Sequence, residues 1–170
     1  MSYTLSIIRI SSLVFLVTNA NAQEIKIGAM QHDFDTKLNH RHEKGKNIII
    51  EYMLDKTQNF LGAFPHIGAS LNNKGYTSNI YTGLTWQFDL GENFLIEASL
   101  GASINNAERK QKAKKRALGS NILFRESFSA GLRFAKIHSI TIIIDHISSA
   151  DLSKPNPGLT DIGLRYGYRF

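Results

Sequence analysis

His146 and Ser148 are the residues whose types and spacing could carry out chemistry. They lie two positions apart in the run SITIIIDHISS, which begins at Ser139. This run alternates with a period of two, which is typical of a β-strand. The two side chains would then project from one face, with Cα atoms roughly 7 Å apart at about 3.3 Å per residue. At that spacing an imidazole can reach a hydroxyl as its general base, which is what an activated serine needs.

The same strand face carries three isoleucines, Ile140, Ile142 and Ile144. A polar pair at the end of an apolar face has two interpretations. One is a serine that meets substrates residing in a bilayer. The other is a histidine and a serine that are tolerated at head-group depth, and the short H-x-S spacing alone favours this second interpretation.

Composition limits the class of protein. The chain has 170 residues, which is typical of one domain, and carries 20 Lys and Arg against 14 Asp and Glu. It has no cysteine, which excludes disulfides and a thiol nucleophile. Residues 1–22 are predicted to be a signal peptide, with Arg9, an apolar core at 10–17 and a small-residue cleavage site ending at Ala22. The alternative is a buried N-terminal strand or helix.

Eight strands are predicted in the remainder of the chain, at 24–31, 47–54, 60–71, 77–88, 93–104, 121–134, 138–148 and 159–170. Most are near the roughly 9–11 residues that a tilted strand needs to cross a bilayer. Long connections follow strands one, five and seven, and short ones follow strands two, four and six, as in outer-membrane proteins. The sequence predicts an all-β fold, an eight-stranded antiparallel transmembrane β-barrel of the outer membrane over 23–170. The alternative is a soluble β-domain.

The polar faces of these strands carry four acids and four arginines, namely Glu51, Glu97, Asp145, Asp161, Arg125, Arg133, Arg165 and Arg169. If these faces point into a closed barrel, the charges can pair there, whereas unpaired charges would cost several kcal/mol. The basic run at 105–120 is interpreted as a solvated loop, or as a segment attracted to anionic lipid head groups. It has no interleaved aromatic residue, which argues against nucleic acid. The pair His40 and His42 lacks further clustered ligands, so we expect no metal site.

Three segments near the C-terminus resemble the lipid A 3-O-deacylase family, the PagL-like acyl hydrolases of the outer membrane. They are HISSA from His146, KPNPG from Lys154 and GLRYGYRF from Gly163. The family pattern is H-x-S-N-A, then P-N-x-G-x-E, then an aromatic C-terminal strand. The resemblance implies an eight-stranded barrel that hydrolyses the ester-linked acyl chain at position 3 of lipid A with a lipid-facing Ser-His-Glu triad.

Carried over to this chain, the resemblance makes His146 the base, Ser148 the nucleophile and Asn156 a residue of the oxyanion site. Two positions depart from the family pattern. Ser149 replaces a family asparagine, and Thr160 replaces the triad glutamate. A threonine cannot supply the negative charge that stabilises an imidazolium.

Glu126 is a candidate replacement for the missing acid. If Phe134 pairs with His138 across the tight turn between strands six and seven, antiparallel register places Glu126 opposite His146, with Cβ atoms about 4.5–5.5 Å apart. We hypothesise that Glu126 orients His146. The alternative is an interfacial glutamate that merely pairs with a protonated His146 or with head-group amines.

The leading interpretation is a serine ester hydrolase, a lipid A deacylase that acts on lipopolysaccharide in the outer membrane. Its scheme requires no cofactor. The two departures at Ser149 and Thr160 keep a second interpretation open, a non-catalytic outer-membrane barrel. A third is an acyl hydrolase of another envelope lipid. A homodimer is left open as well.

Overall fold

The computed structural model describes residues 22–34, 43–110 and 115–170. Its eight strands are β1 (Ala22–Gln31), β2 (Lys46–Leu54), β3 (Phe64–Asn72), β4 (Asn79–Leu90), β5 (Phe94–Asn105), β6 (Ile122–Phe134), β7 (His138–Ser148) and β8 (Leu159–Arg169). Apart from Ala22, the predicted signal peptide lies outside the described residues, as do His40 and His42.

Every strand pairs antiparallel with its neighbour in the sequence, and β1 also pairs with β8, so the sheet closes into a barrel. Closure removes the unpaired edges of the sheet. The predicted all-β, eight-stranded barrel is therefore confirmed. No helix in the described ranges is long and apolar enough to span a membrane.

The start of β3 differs from the prediction. The sequence predicts a strand from residue 60, but the strand begins at Phe64 after a 3₁₀ turn at Phe60–Gly62. Phe60 and Leu61 have φ values of 52° and 57°. Left-handed backbone cannot continue a β-strand, so the apolar run is divided between a turn and a strand.

The outer surface of the barrel is apolar along all eight strands. Its exposed large side chains include Ile27, Ile48, Ile67, Ile80, Leu100, Ile104, Phe124, Phe128, Leu132, Ile142 and Leu164. Soluble proteins rarely expose a continuous apolar surface of this extent, whereas a barrel in hydrocarbon requires one. The outward faces assigned from the alternation are confirmed by this distribution.

The interior holds paired charges. Arg165 donates to Glu51 at 3.0 Å and to Glu97 at 2.7 Å, and all three side chains are buried. Arg125 lies 2.9 Å from Asp145, and its guanidinium carbon is 3.6 Å from the centroid of the Tyr81 ring. The predicted inward pairing of acids and arginines is confirmed at these positions, where each buried charge faces an opposite one.

Candidate active site

His146 and Ser148 lie at the end of β7, on the rim from which the long connections extend. Their neighbours Asp145 and Ile147 are buried inside the barrel, with 4% and 2% of their surface exposed. Because successive side chains of a strand point to opposite faces, His146 and Ser148 face outward. Both are half-buried on the apolar outer surface.

The strand ends directly after Ser148 because the chain turns sharply there. Ala150 and Asp151 have φ values of 49° and 63°. Ser149 is buried, its backbone N–H donates to Asn156 Oδ1 at 2.9 Å, and its hydroxyl donates to the Ser153 carbonyl at 3.0 Å. These bonds fix the turn that carries the candidate nucleophile.

Thr160 is the hydrogen-bond partner of the His146 ring. The register of β7 and β8 pairs the two residues, and Thr160 Oγ1 lies 2.8 Å from His146 Nδ1. If Nδ1–H donates to this hydroxyl, Nε2 keeps the lone pair that a general base uses. Thr160 can therefore hold the orientation of the ring, although it brings no charge.

Gly158 lies against the opposite edge of the same ring. A Cβ atom at this position would lie 2.6 Å from His146 Cε1 and 2.9 Å from His146 Nε2. Gly158 also has a φ of 65°, which favours glycine. Sequence reasoning did not select Gly158, although the family pattern P-N-x-G contained the signal.

Glu126 pairs with His146 across β6 and β7, and Phe134 pairs with His138. The register predicted from the turn is therefore confirmed. Glu126 is exposed on the outward face, and its carboxylate makes no hydrogen bond or ion pair to any residue in the described ranges. Its carboxylate is the acidic group facing the candidate site from the neighbouring strand.

Two grooves in the outer surface meet beside these residues. The first, of about 490 Å³, runs along β4 to β7 from His146 and is lined by Trp86, Ala98, Phe128 and Ile144. The second, of about 400 Å³, reaches Ser148, and both grooves include Leu100 and Glu126. Volumes of this size suit an extended apolar ligand.

A buried charged cluster lies behind the site, at the mouth of the barrel. His32 Nε2 is 2.7 Å from Glu43 Oε2, and His32 Nδ1 is 3.0 Å from Asp161 Oδ1. Burial alone would lower the pKa of His32, but the bonds to Asp161 and Glu43 outweigh burial and raise this pKa to about 9. The cluster is therefore a set of paired charges at neutral pH. Asp161 points inward, as its position in the alternation predicts.

The fold and the site together define an eight-stranded β-barrel of the outer membrane with a lipid-facing histidine and serine. The family model described as lipid A 3-O-deacylase (PagL) matches residues 17–169, and the chain belongs to this family.

Two curated relatives share part of the sequence. The chain is 35% identical over 80 residues to the lipid A deacylase PagL of Bordetella bronchiseptica, which covers 47% of this chain and 43% of the relative. It is 34% identical over 71 residues to the lipid A deacylase PagL of Pseudomonas aeruginosa, which covers 42% of this chain and 39% of the relative. The matched segment thus spans less than half the length of each relative.

Two solved structures share the fold. The crystal structure of the outer membrane enzyme PagL superposes with a TM-score of 0.66 at 19% identity, over 86% of this chain and 99% of that chain. The Yersinia pestis outer membrane protein Ail superposes with a TM-score of 0.51 at 15% identity, over 88% of this chain and 99% of that chain. At these identities the likeness establishes the barrel fold alone.

Proposed function

We propose that the chain is a lipid A 3-O-deacylase, a serine ester hydrolase that removes the 3-linked acyl chain of lipid A in the outer membrane. The observation that carries this proposal is the outward direction of His146 and Ser148, at the rim of an apolar barrel wall. A serine in this place meets esters held in the bilayer, and esters in water do not reach it. Membership in the lipid A 3-O-deacylase family supports the same substrate.

The proposed reaction has two steps. In the first, Ser148 Oγ attacks the ester carbonyl carbon while His146 Nε2 takes the hydroxyl proton. The ester C–O bond then breaks, and the protonated imidazole returns the proton to the departing sugar oxygen. In the second, water attacks the acyl-enzyme with His146 again as base. The bond between Ser148 Oγ and the acyl carbon breaks, the imidazolium returns its proton to Oγ, and the fatty acid leaves. The scheme needs no cofactor.

The developing oxyanion needs donors close to Ser148. We assign this role to Asn156 Nδ2 or to backbone N–H groups of the turn that follows β7. Asn156 already holds this turn through its Oδ1 atom, and its Nδ2 atom makes a single long contact of 3.4 Å to Asp151. The amide can therefore offer Nδ2 to a substrate while Oδ1 keeps its bond to Ser149.

Thr160 and Glu126 together replace the triad carboxylate in this proposal. Thr160 Oγ1 receives Nδ1–H and holds the ring orientation. Glu126 supplies the negative charge from the directly opposite position on β6. Paired positions place the two Cβ atoms about 5 Å apart. In the low polarity of the membrane, a negative charge at this position stabilises the imidazolium that forms when Ser148 attacks.

The apolar grooves are the proposed binding site of the acyl chain. The first groove extends from His146 along the barrel wall, so a chain lying in it leads to the ester that Ser148 attacks. Its lining of Trp86, Phe128 and Ile144 matches a hydrocarbon chain.

The proposal is tested by mass spectrometry of lipid A and of phospholipids from cells that express the chain. We expect lipid A to lose one 3-hydroxyacyl chain in these cells and not in cells that express Ser148→Ala. Unchanged lipid A with deacylated phospholipid would instead show an acyl hydrolase of another envelope lipid. No change in either lipid would show a non-catalytic barrel.

The shared role of Thr160 and Glu126 makes a further prediction. Glu126→Gln is expected to lower kcat for deacylation about tenfold, which corresponds to 1.36 kcal/mol of lost transition-state stabilisation. Thr160→Ala is expected to lower kcat as well, because Nδ1 loses its partner. Thr160→Glu is expected to raise kcat above wild type, because it places a carboxylate on Nδ1.

These variants are assayed side by side in detergent micelles containing lipid A. Glu92→Gln is the matched control, since Glu92 is an exposed glutamate in the turn between β4 and β5, at the opposite end of the barrel. Wild-type turnover in Glu126→Gln would refute the contribution of Glu126.

A further inference from the structure

Arg116 departs from the solvated loop predicted for the basic run at 105–120. Its side chain is 19% exposed, and Nη1 lies 2.6 Å from Oδ1 of Asp33, which is buried. The same Nη1 atom donates to the carbonyl oxygen of Gly158 at 3.2 Å. A single guanidinium therefore connects the β1–β2 and β7–β8 connections.

Gly158 and Thr160 both lie against the His146 ring, and the carbonyl oxygen of each accepts a hydrogen bond from another connection. Arg116 bonds the carbonyl of Gly158, and the backbone N–H of Phe34 donates to the carbonyl of Thr160 at 2.7 Å. The N–H of Asp33 donates to Asp161 Oδ1 at 3.0 Å, which anchors the next residue of β8. The segment 158–161, which lies against His146, is thus hydrogen-bonded on its other side by residues of other connections.

Arg116 and Asp33 are themselves held by further hydrogen bonds. The backbone N–H of Arg116 donates to Glu43 Oε1 at 2.6 Å, and the N–H of Glu43 donates to Asp33 Oδ2 at 2.8 Å. Glu43 also accepts from the backbone N–H and the hydroxyl of Thr77 at 2.8 and 2.9 Å. Connections from four parts of the chain therefore meet at one buried group of charges.

We propose that Arg116 is a positioning residue for deacylation. By bonding both the Gly158 carbonyl and Asp33, it holds Gly158 in contact with His146, and the ring keeps its hydrogen bond to Thr160. This inference rests on the proposed function. Gly158 has no side chain to hold it in place, and the ring occupies the space where its Cβ would be. If the carbonyl is released, Gly158 can move away from His146 Nε2, and the ring can then rotate away from Thr160.

The test compares Arg116→Ala and Arg116→Lys with a matched control, Arg109→Ala, in the full-length protein in detergent micelles. Arg109 lies in the same connection and is exposed, and its Nε bonds the Asn121 side chain, so its removal takes away the same charge without touching Gly158. Two experiments are made. The first measures kcat and KM for fatty acid release from lipid A, and the second follows the NMR resonance of the His146 ring Cε1–H group, assigned with His146→Gln.

Arg116→Ala is expected to lower kcat about tenfold or more while KM stays within about twofold, because small misplacements of a reacting group are costly. The His146 resonance is expected to move. Arg116→Lys, which keeps a charge opposite Asp33 on a shorter side chain, should recover part of kcat. Arg109→Ala should match wild type in both measurements.

Wild-type kcat together with an unmoved His146 resonance in Arg116→Ala would overturn the inference. If Arg116→Ala does not fold, Arg116→Lys decides by the same two readouts. Wild-type protein that releases no more fatty acid than Ser148→Ala would contradict the proposed function itself. The ring resonance would still show in that case whether Arg116 positions His146.

Discussion

Ser148→Ala is expected to lower the rate of fatty acid release from lipid A by about a thousandfold or more, because removal of a nucleophile leaves only binding and oxyanion stabilisation. Binding of lipid A should change little, since Ser148 occupies one end of the groove and makes no contact along its length. The rate is measured as free 3-hydroxy fatty acid released by purified protein in mixed micelles.

Ser103→Ala is the matched control for this experiment. Ser103 is buried on the inner face of β5, and its hydroxyl has no hydrogen-bond partner among the described residues. Its replacement removes the same atom from the opposite side of the barrel wall and should leave the rate unchanged. Release by Ser148→Ala within about threefold of wild type would exclude a serine mechanism at this position.

Arg165→Met is expected to destabilise the folded barrel by about 3–5 kcal/mol, the usual cost of leaving buried charges without a partner. Arg165 bonds Glu51, Glu97 and the hydroxyl of Ser129 inside the barrel. Methionine fills similar volume but neutralises neither carboxylate. The free energy of unfolding is measured by urea titration in detergent micelles or lipid vesicles.

Arg169→Met provides the comparison for that measurement. Arg169 lies at the end of β8 with 27% of its side chain exposed, and it contacts Glu24 at 3.8 Å. Because Arg169 is partly exposed and Glu24 keeps its hydrogen bonds from Gln87 and Ser139, loss of this contact should cost about 1 kcal/mol or less. Equal effects of the two substitutions would contradict the claim that the buried network, rather than net charge, stabilises the barrel.

Alternation and turn length made most of the barrel predictable. Because polar and apolar residues alternate along each strand, only one assignment of inner and outer faces is consistent with the sequence. Shifting that assignment by one residue would place Arg125 in the lipid. The short turn between β6 and β7 fixed the pairing of Glu126 with His146. The position of the candidate site on the outer wall followed from these local patterns.

The remaining features depend on contacts between residues far apart in the sequence. His32 and Arg116 lie outside the predicted strands, yet they contact Asp161 and Asp33 inside the mouth of the barrel. Lys26 was not selected either, although it is buried and pairs with Glu97. Hydropathy periodicity carries no information on which distant charge a buried charge will meet.

The most direct test of the account is covalent labelling with a long-chain alkyl phosphonate ester, which reacts with an activated serine and stays attached. Peptide mass mapping of the labelled protein is expected to find the adduct on Ser148, with labelling reduced at least about a hundredfold in His146→Gln because the base is gone. An adduct at another serine, or equal labelling of Ser148 in His146→Gln, would contradict a lipid-facing serine activated by His146.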